Sequence, residues 1–195
     1  TYDEDGNDLG WGEDSIIAMM KHWPGDGAGE GGRESHSDFG KYTVYPGDAF
    51  DTQLIPFVDG ALNLDSITGS APAAMTSYSI AYSENEEYGE LVGSAFSEWK
   101  IDLLREEYGF DGMICSDWSA QNRMAWGIDP EASEAEIIEL MILAGVDQIG
   151  SANTADMEGA YALLCDELGE EDALARVQLS AYRILKPLFL VGLFE

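Results

Sequence analysis

Four short apolar runs, each followed by a segment of helical period, constrain this chain more than any other feature. The runs are Ile16 to Met20, Ala71 to Met75, Phe110 to Cys115 and Gly145 to Ile149. Each reads as a strand buried on both faces. Asp51 to Leu64 repeats apolar residues at helical spacing, with Pro56 near its first turn or bending it. Leu91 to Tyr108 reads as the clearest helix, with Leu91, Ala95, Trp99, Leu103 and Leu104 on one face and Gly109 as its stop. Ser133 and Glu136 form a capping box opening Glu134 to Ala144, which Gly145 closes. Asp156 to Leu168 and Asp172 to Leu190 follow, the last perturbed by Pro187.

Strands alternating with helices predict an α/β fold with a parallel sheet. Four such units are half of a (β/α)8 TIM barrel, whose full form takes about 250 residues. A small doubly wound sheet is the alternative. The 195 residues, 45% hydrophobic and 24% charged, suit one domain over 1–195 and exclude wholesale disorder.

Charge and cysteine usage narrow the partners. Thirty-eight acids against nine bases give a formal net charge of −29. Such a surface repels nucleic acid and anionic membranes, so neither is expected as a partner. Self-repulsion in solution accounts for the acids, and adaptation to high salt is the sharper reading. The longest apolar runs, Ile16 to Met20 and Leu188 to Phe194, fall far short of the roughly 20 residues of a membrane span. Cys115 and Cys165 cannot build a disulfide framework or a four-thiolate zinc site, and His22 and His36 are too few for a histidine-rich one. Alternating acids near the start imitate a calcium loop, but its sixth position holds Asp8 and its twelfth Asp14. A solvated terminus is expected there, and no metal or cofactor. Secreted, periplasmic and cytoplasmic placements all remain open.

In either architecture the functional groups gather where strands end. Those ends offer Lys21 and His22, then Ser77 and Tyr78, then Ser116 and Asp117, and finally Gln148, with Trp23 and Trp118 as an aromatic rim. Such a mixture suits sugars, whose hydroxyls take polar partners while aromatic faces cover the apolar side of the ring. Gly27-x-Gly29-x-x-Gly32 formally matches a dinucleotide fingerprint, but Asp26 and Glu30 would repel a pyrophosphate and no apolar helix follows. A loop folding over a cleft, with Arg33 aimed at a substrate hydroxyl, fits better. No Gly-x-Ser-x-Gly elbow is present, Cys115 reads as packed, and Asp111 and Asp147 read as structural.

Several motifs carry a resemblance to a known family. They are Lys21-His22-Trp23-Pro24-Gly25-Asp26-Gly27, Gly32-Arg33, Met75-Thr76-Ser77-Tyr78, Leu104-Arg105-Glu106, Gly109-Phe110-Asp111-Gly112 and Ser116-Asp117-Trp118. Ala144-Gly145-Val146-Asp147 and the closing Val191-Gly192-Leu193-Phe194-Glu195 extend the series. Their order and spacing resemble glycoside hydrolase family 3. The resemblance implies a retaining β-glycosidase with Asp117 as nucleophile. It implies that Lys21, His22 and Arg33 hold the hydroxyls of the −1 sugar, with Tyr78 beside the nucleophile; Trp118, from its place on the aromatic rim, is expected to bind substrate as well. Retention calls for a second carboxyl group about 5 to 5.5 Å from the nucleophile, and nearby cations favour an ionised Asp117.

The resemblance also implies that these strands are the fifth to eighth of the barrel, its C-terminal half. On that reading the first half-barrel and the following domain, which usually supplies the general acid, are absent. An inactive fragment is then expected, completed by the missing half-barrel and C-terminal domain or by self-association. The expected activity is β-glucosidase-like and exo-acting on a β-glucoside or oligosaccharide, in carbohydrate catabolism. The alternatives are the N-acetyl-β-glucosaminidase branch, whose Asp-x-His element Glu34-Ser35-His36 imitates, and a non-catalytic sugar-binding or assembly module. His36 is expected to be structural or a loop contact.

Overall fold

The computed structural model describes residues 1–65 and 67–194; Glu195 of the closing motif lies outside the described residues. Its centre is a parallel sheet of three strands, β1 (Met19–Trp23), β3 (Ala73–Thr76) and β5 (Met113–Cys115), in the order β1-β3-β5. A second parallel pair joins β2 (Tyr42–Thr43) to β4 (Ile80–Ala81). The parallel α/β expectation holds at this level. The four-stranded half-barrel does not, because the fourth run touches β5 through a single parallel bridge, Cys115 to Gln148. The reason lies in Asp147. Its carboxylate accepts the Ile114 N–H at 2.9 Å, while the N–H groups of Asp147 and Gln148 both converge on the Ile114 carbonyl. A side chain has taken the place of a backbone rung.

The first strand also begins later than the apolar run suggests. Met19 and Met20 pair with Ala73 and Ala74, whereas Ile16 is exposed. Pairing with β3 decides where β1 starts, and Lys21, His22 and Trp23 therefore lie within the strand. Peptide bonds Lys21–His22 and Trp23–Pro24 are cis.

Alternating side chains divide the core. Ala74 and Ile114 join Met20, Trp23, Ile101, Leu104 and Met141 in the main core. Ala73, Met113 and Cys115 form a smaller cluster with Met19 and Ile184. Trp23, expected on an aromatic rim, is wholly buried. Its indole donates to the Lys100 carbonyl at 2.7 Å, and its ring meets Phe57 and Tyr108 edge-on. Burial of so large an apolar surface outweighs any use at the rim.

The helices follow the sequence in kind, less so in extent. Helix α1 (Phe50–Ile55) ends where Pro56, lacking an N–H, opens a wider helical turn through Ala61. Helix α2 (Glu98–Asp102) begins seven residues after the expected Leu91, because the Ser97 hydroxyl caps the Lys100 N–H. Upstream, Gly93 is held in an antiparallel bridge to Ile80, which a helix would forbid. A wider turn, Leu103–Glu107, carries α2 to Gly109, whose φ of +65° stops it as expected. Helix α3 (Glu134–Ala144) has its Ser133–Glu136 capping box and its left-handed Gly145. Helices α4 (Thr154–Leu168) and α5 (Glu170–Leu190) complete the chain, with Asn153 capping α4 and Pro187 inside α5. Among the described residues no helix is long and apolar enough to cross a membrane.

Asp147 fixes α5 to the sheet. It is buried and accepts from Arg105 at 2.5 Å, Ser180 at 3.0 Å and Arg183 at 3.4 Å. Asp111 pairs with Arg183 and Lys186 at the same end. Both acids are structural here, as their positions in the sequence suggested.

Candidate active site

The C-terminal ends of three parallel strands bring a small set of polar groups together. A cavity of about 90 Å³ is lined by His22, Asp26, Arg33, Glu34, His36, Tyr78, Asp117 and neighbouring loop atoms. Larger hollows exist elsewhere, but this one concentrates the acid, base and phenol chemistry.

Asp117 leaves β5 with its carboxylate mostly shielded. One oxygen accepts the Trp118 N–H at 2.7 Å, and the other lies 3.2 Å from His22 Nε2. The loop can lie this close because a Cβ on Gly150 would stand 2.8 Å from the Ser116 carbonyl and 3.0 Å from that of Asp117. The opposite nitrogen of His22, Nδ1, is 3.0 Å from Asp26 Oδ2. The other Asp26 oxygen accepts from the hydroxyls of Ser77 and Ser79. Burial pushes the Asp26 carboxyl upward, but the contacts from His22, Ser77 and Ser79 outweigh it and hold the group below its usual range.

Tyr78 is buried, and its hydroxyl donates to the Trp118 carbonyl. Burial and the neighbouring Asp117 charge push its phenol upward, so it serves as a donor. The His36 ring meets Tyr78 edge-on with centroids 5.0 Å apart, and His36 Nδ1 pairs with Glu34. The Glu34 carboxyl is held low by the His36 backbone N–H and then by its ring.

The glycine-rich segment folds as a short turn over Glu30–Gly32. It is pinned at its middle, since the Val44 N–H donates to the Ala28 carbonyl at 2.8 Å and Gly29 bridges Thr43. A Cβ on Gly29 would stand 2.1 Å from the Arg33 carbonyl, so only glycine fits the turn that delivers Arg33 to the cavity.

Of the residues expected at the site, His22, Arg33, Tyr78 and Asp117 meet at this cavity. Trp118 stands half-exposed beside it and contributes its carbonyl. Lys21 is exposed on β1, does not line the cavity and makes no ion pair among the described residues. Ser77 supports Asp26, and Ser116 is buried, accepting the Gly150 N–H at 2.9 Å. Gln148 is exposed next to its bridge. Asp26 and Ser79 were missed as site residues. The available signal was an acid four positions after a strand-end histidine.

The fold and site define a parallel α/β protein whose polar centre is built on a carboxylate and an imidazole at the strand ends. Residues 9–186 match the profile described as "Glycosyl hydrolase family 3 N terminal domain". The chain belongs to glycosyl hydrolase family 3. The matching domain is the family's N-terminal one, so the expected placement in a C-terminal half of the barrel is withdrawn. Beta-glucosidase C of Emericella nidulans is 33% identical over 195 residues, covering 94% of this chain and 29% of the relative. A periplasmic beta-glucosidase/beta-xylosidase of Dickeya chrysanthemi is 34% identical over 203 residues, covering 93% and 29%. The chain thus spans less than a third of the length of these curated relatives. The crystal structure of the beta-N-acetylglucosaminidase from Thermotoga maritima superposes with a TM-score of 0.65 at 25% identity, over 89% of this chain and 35% of that one.

Proposed function

We propose that this chain carries sugar-binding and nucleophilic groups of a retaining, β-glucosidase-like exo-acting hydrolase of carbohydrate catabolism. Asp117 is the nucleophile. Its carboxylate attacks the anomeric carbon, the glycosidic C–O bond breaks, and water later releases the sugar from the covalent intermediate. Lys21, Arg33, Tyr78 and Trp118 bind the sugar of a β-glucoside or oligosaccharide, and His22 borders the same subsite with its ring held against Asp117. The observation that carries the reading is the shielded Asp117 carboxylate facing the same cavity as His22, Tyr78 and Arg33. In this reading the general acid and the cover for the open strand edges come from further domains or from a second copy.

A second reading has its own observation. Glu34 and His36 pair at the exposed edge of the same cavity, with the imidazole against Tyr78, which would place an acid–base histidine of the N-acetyl-β-glucosaminidase branch beside the sugar. The test is trapping with a 2-deoxy-2-fluoro glucoside bearing an activated aryl leaving group, which hardly needs an acid, followed by peptide mapping. Label on Asp117 supports the nucleophile, and label on another carboxylate overturns it. No label favours a sugar-binding module. Faster turnover of an aryl N-acetylglucosaminide than of the aryl glucoside, lost in His36→Ala, would select the second reading.

A further inference from the structure

We propose that Asp26 is a positioning residue for the chemistry assigned above, holding His22 so that one ring nitrogen donates to Asp26 and the other to Asp117. The inference rests on the reading of Asp117 as nucleophile. It starts from the two carboxylate oxygens that flank one ring, 3.0 Å from Nδ1 and 3.2 Å from Nε2. A neutral imidazole donates from one nitrogen only, and its other lone pair would point at a carboxylate. The ring satisfies both neighbours only as a double donor. Asp26 then fixes the ring plane, and the ring in turn fixes the Asp117 oxygen.

Asp26 is itself gripped. Ser77 and Ser79, both buried, donate their hydroxyls to its second oxygen, and the Ser79 N–H donates to Ser77 Oγ at 2.9 Å. The Ser77 N–H is bonded to the Trp23 carbonyl at 2.7 Å, tying this support to β1 beside His22. Gly25, at a φ of +130°, lets the chain double back after Pro24 so that Asp26 comes to lie against the ring. The same residue could serve merely to staple the loop to the turn after β3. A staple would have no need of the imidazole, so the two roles differ in what happens to His22.

The chain has only two histidines, so imidazole nitrogen NMR on the full chain resolves both, with His36 as internal reference. The titratable groups facing His22 are Asp26 and Asp117, with Arg33, Glu34, His36 and Tyr78 on the same cavity. Asp26→Asn should therefore move the Nδ1 resonance of His22 by weakening its hydrogen bond to that side chain, and leave the His36 resonances in place. Asp26→Glu should keep the wild-type resonance in part, and Asp26→Ser gives the same change as Asp26→Asn should the Asn variant not fold. Labelling of Asp117 by the 2-fluoro glucoside should slow at least about tenfold in Asp26→Asn, through misplacement of the nucleophile. An unchanged His22 Nδ1 resonance, or labelling at the wild-type rate, overturns the role. A wild-type chain that is never labelled overturns the nucleophile reading and this role with it, while the histidine resonances still report on the pairing alone.

Discussion

His22 on β1 reaches across the end of β3 to Asp117 beyond β5, with Nε2 and Oδ2 3.2 Å apart. Parallel pairing makes this possible, because all three strands point their C-terminal ends the same way. The two residues are far apart in sequence, and the sheet alone brings them together. The carboxylate is thereby held between a side-chain donor and the Trp118 N–H, aimed at one cavity.

Removing that carboxylate should abolish covalent chemistry. Asp117→Ala is expected to cost many orders of magnitude in turnover of an activated aryl glucoside, as loss of a nucleophile does. Arg33→Ala should cost about 2 to 5 kcal/mol of transition-state stabilisation by deleting a charge-assisted hydrogen bond. Lys21→Ala should cost less than Arg33→Ala, because Arg33 lines the cavity and Lys21 does not. Ratios of kcat/KM give these figures directly, and equal losses for the two cations would contradict the ordering.

Asp147 should matter to stability rather than to sugar chemistry. It is buried among Arg105, Arg176 and Arg183. Burial lowers the Arg105 guanidinium to about 10, and Asp147 is the charge that resists this. Asp147→Ala leaves three guanidinium groups short of their shared partner and should cost about 3 to 5 kcal/mol in urea unfolding. A loss under about 1 kcal/mol would show that the network is exposed to water.

The sequence made some of this legible and hid the rest for identifiable reasons. The Ser133–Glu136 box and Gly145 could be read because capping is local chemistry within four residues. That Asp117, Tyr78 and His22 gather at one set of strand ends could be read because those ends and the family motifs coincide. Trp23 was misjudged because its burial depends on Phe57, Tyr108 and the Lys100 carbonyl, all distant in sequence. The fourth strand was misjudged because a side chain of the run itself, Asp147, displaces a backbone rung. Asp26 was overlooked because its charge counted against a nucleotide, whereas its partners are an imidazole and two hydroxyls.

Lys100 gives a pH signature. Its side chain is fully buried, donating to the carbonyls of Glu90 and Val92, and burial lowers its ammonium from 10.5 to about 8. Between those values the unfolded chain holds a proton that the folded chain has released. Unfolding therefore takes up a proton, and stability rises with pH across the window from about 8 to 10.5. In Lys100→Met that contribution is absent. Subtracting the variant's unfolding free energy from that of the wild type at each pH should give a difference that climbs from pH 8 to 10. A flat difference would mean that Lys100 keeps its proton in the fold.

The acids make the last prediction. Thirty-eight Asp and Glu against nine Lys and Arg leave a charge of −29, and exposed like charges raise the free energy of the compact state relative to the expanded one. Salt shortens the reach of that repulsion from about 30 Å at 0.01 M to about 3 Å at 1 M, below the spacing of most surface charges. The pairs that hold the fold, above all Asp147 with Arg105, are buried and are screened far less. Salt should thus remove a destabilising term while sparing the stabilising one. The melting temperature is expected to rise as sodium chloride goes from low millimolar to molar, by more in the wild type than in a variant with several exposed acids changed to Gln or Asn. A melting temperature that stays constant, or rises equally in both proteins, would reject salt adaptation and leave the acids as a solubilising surface only.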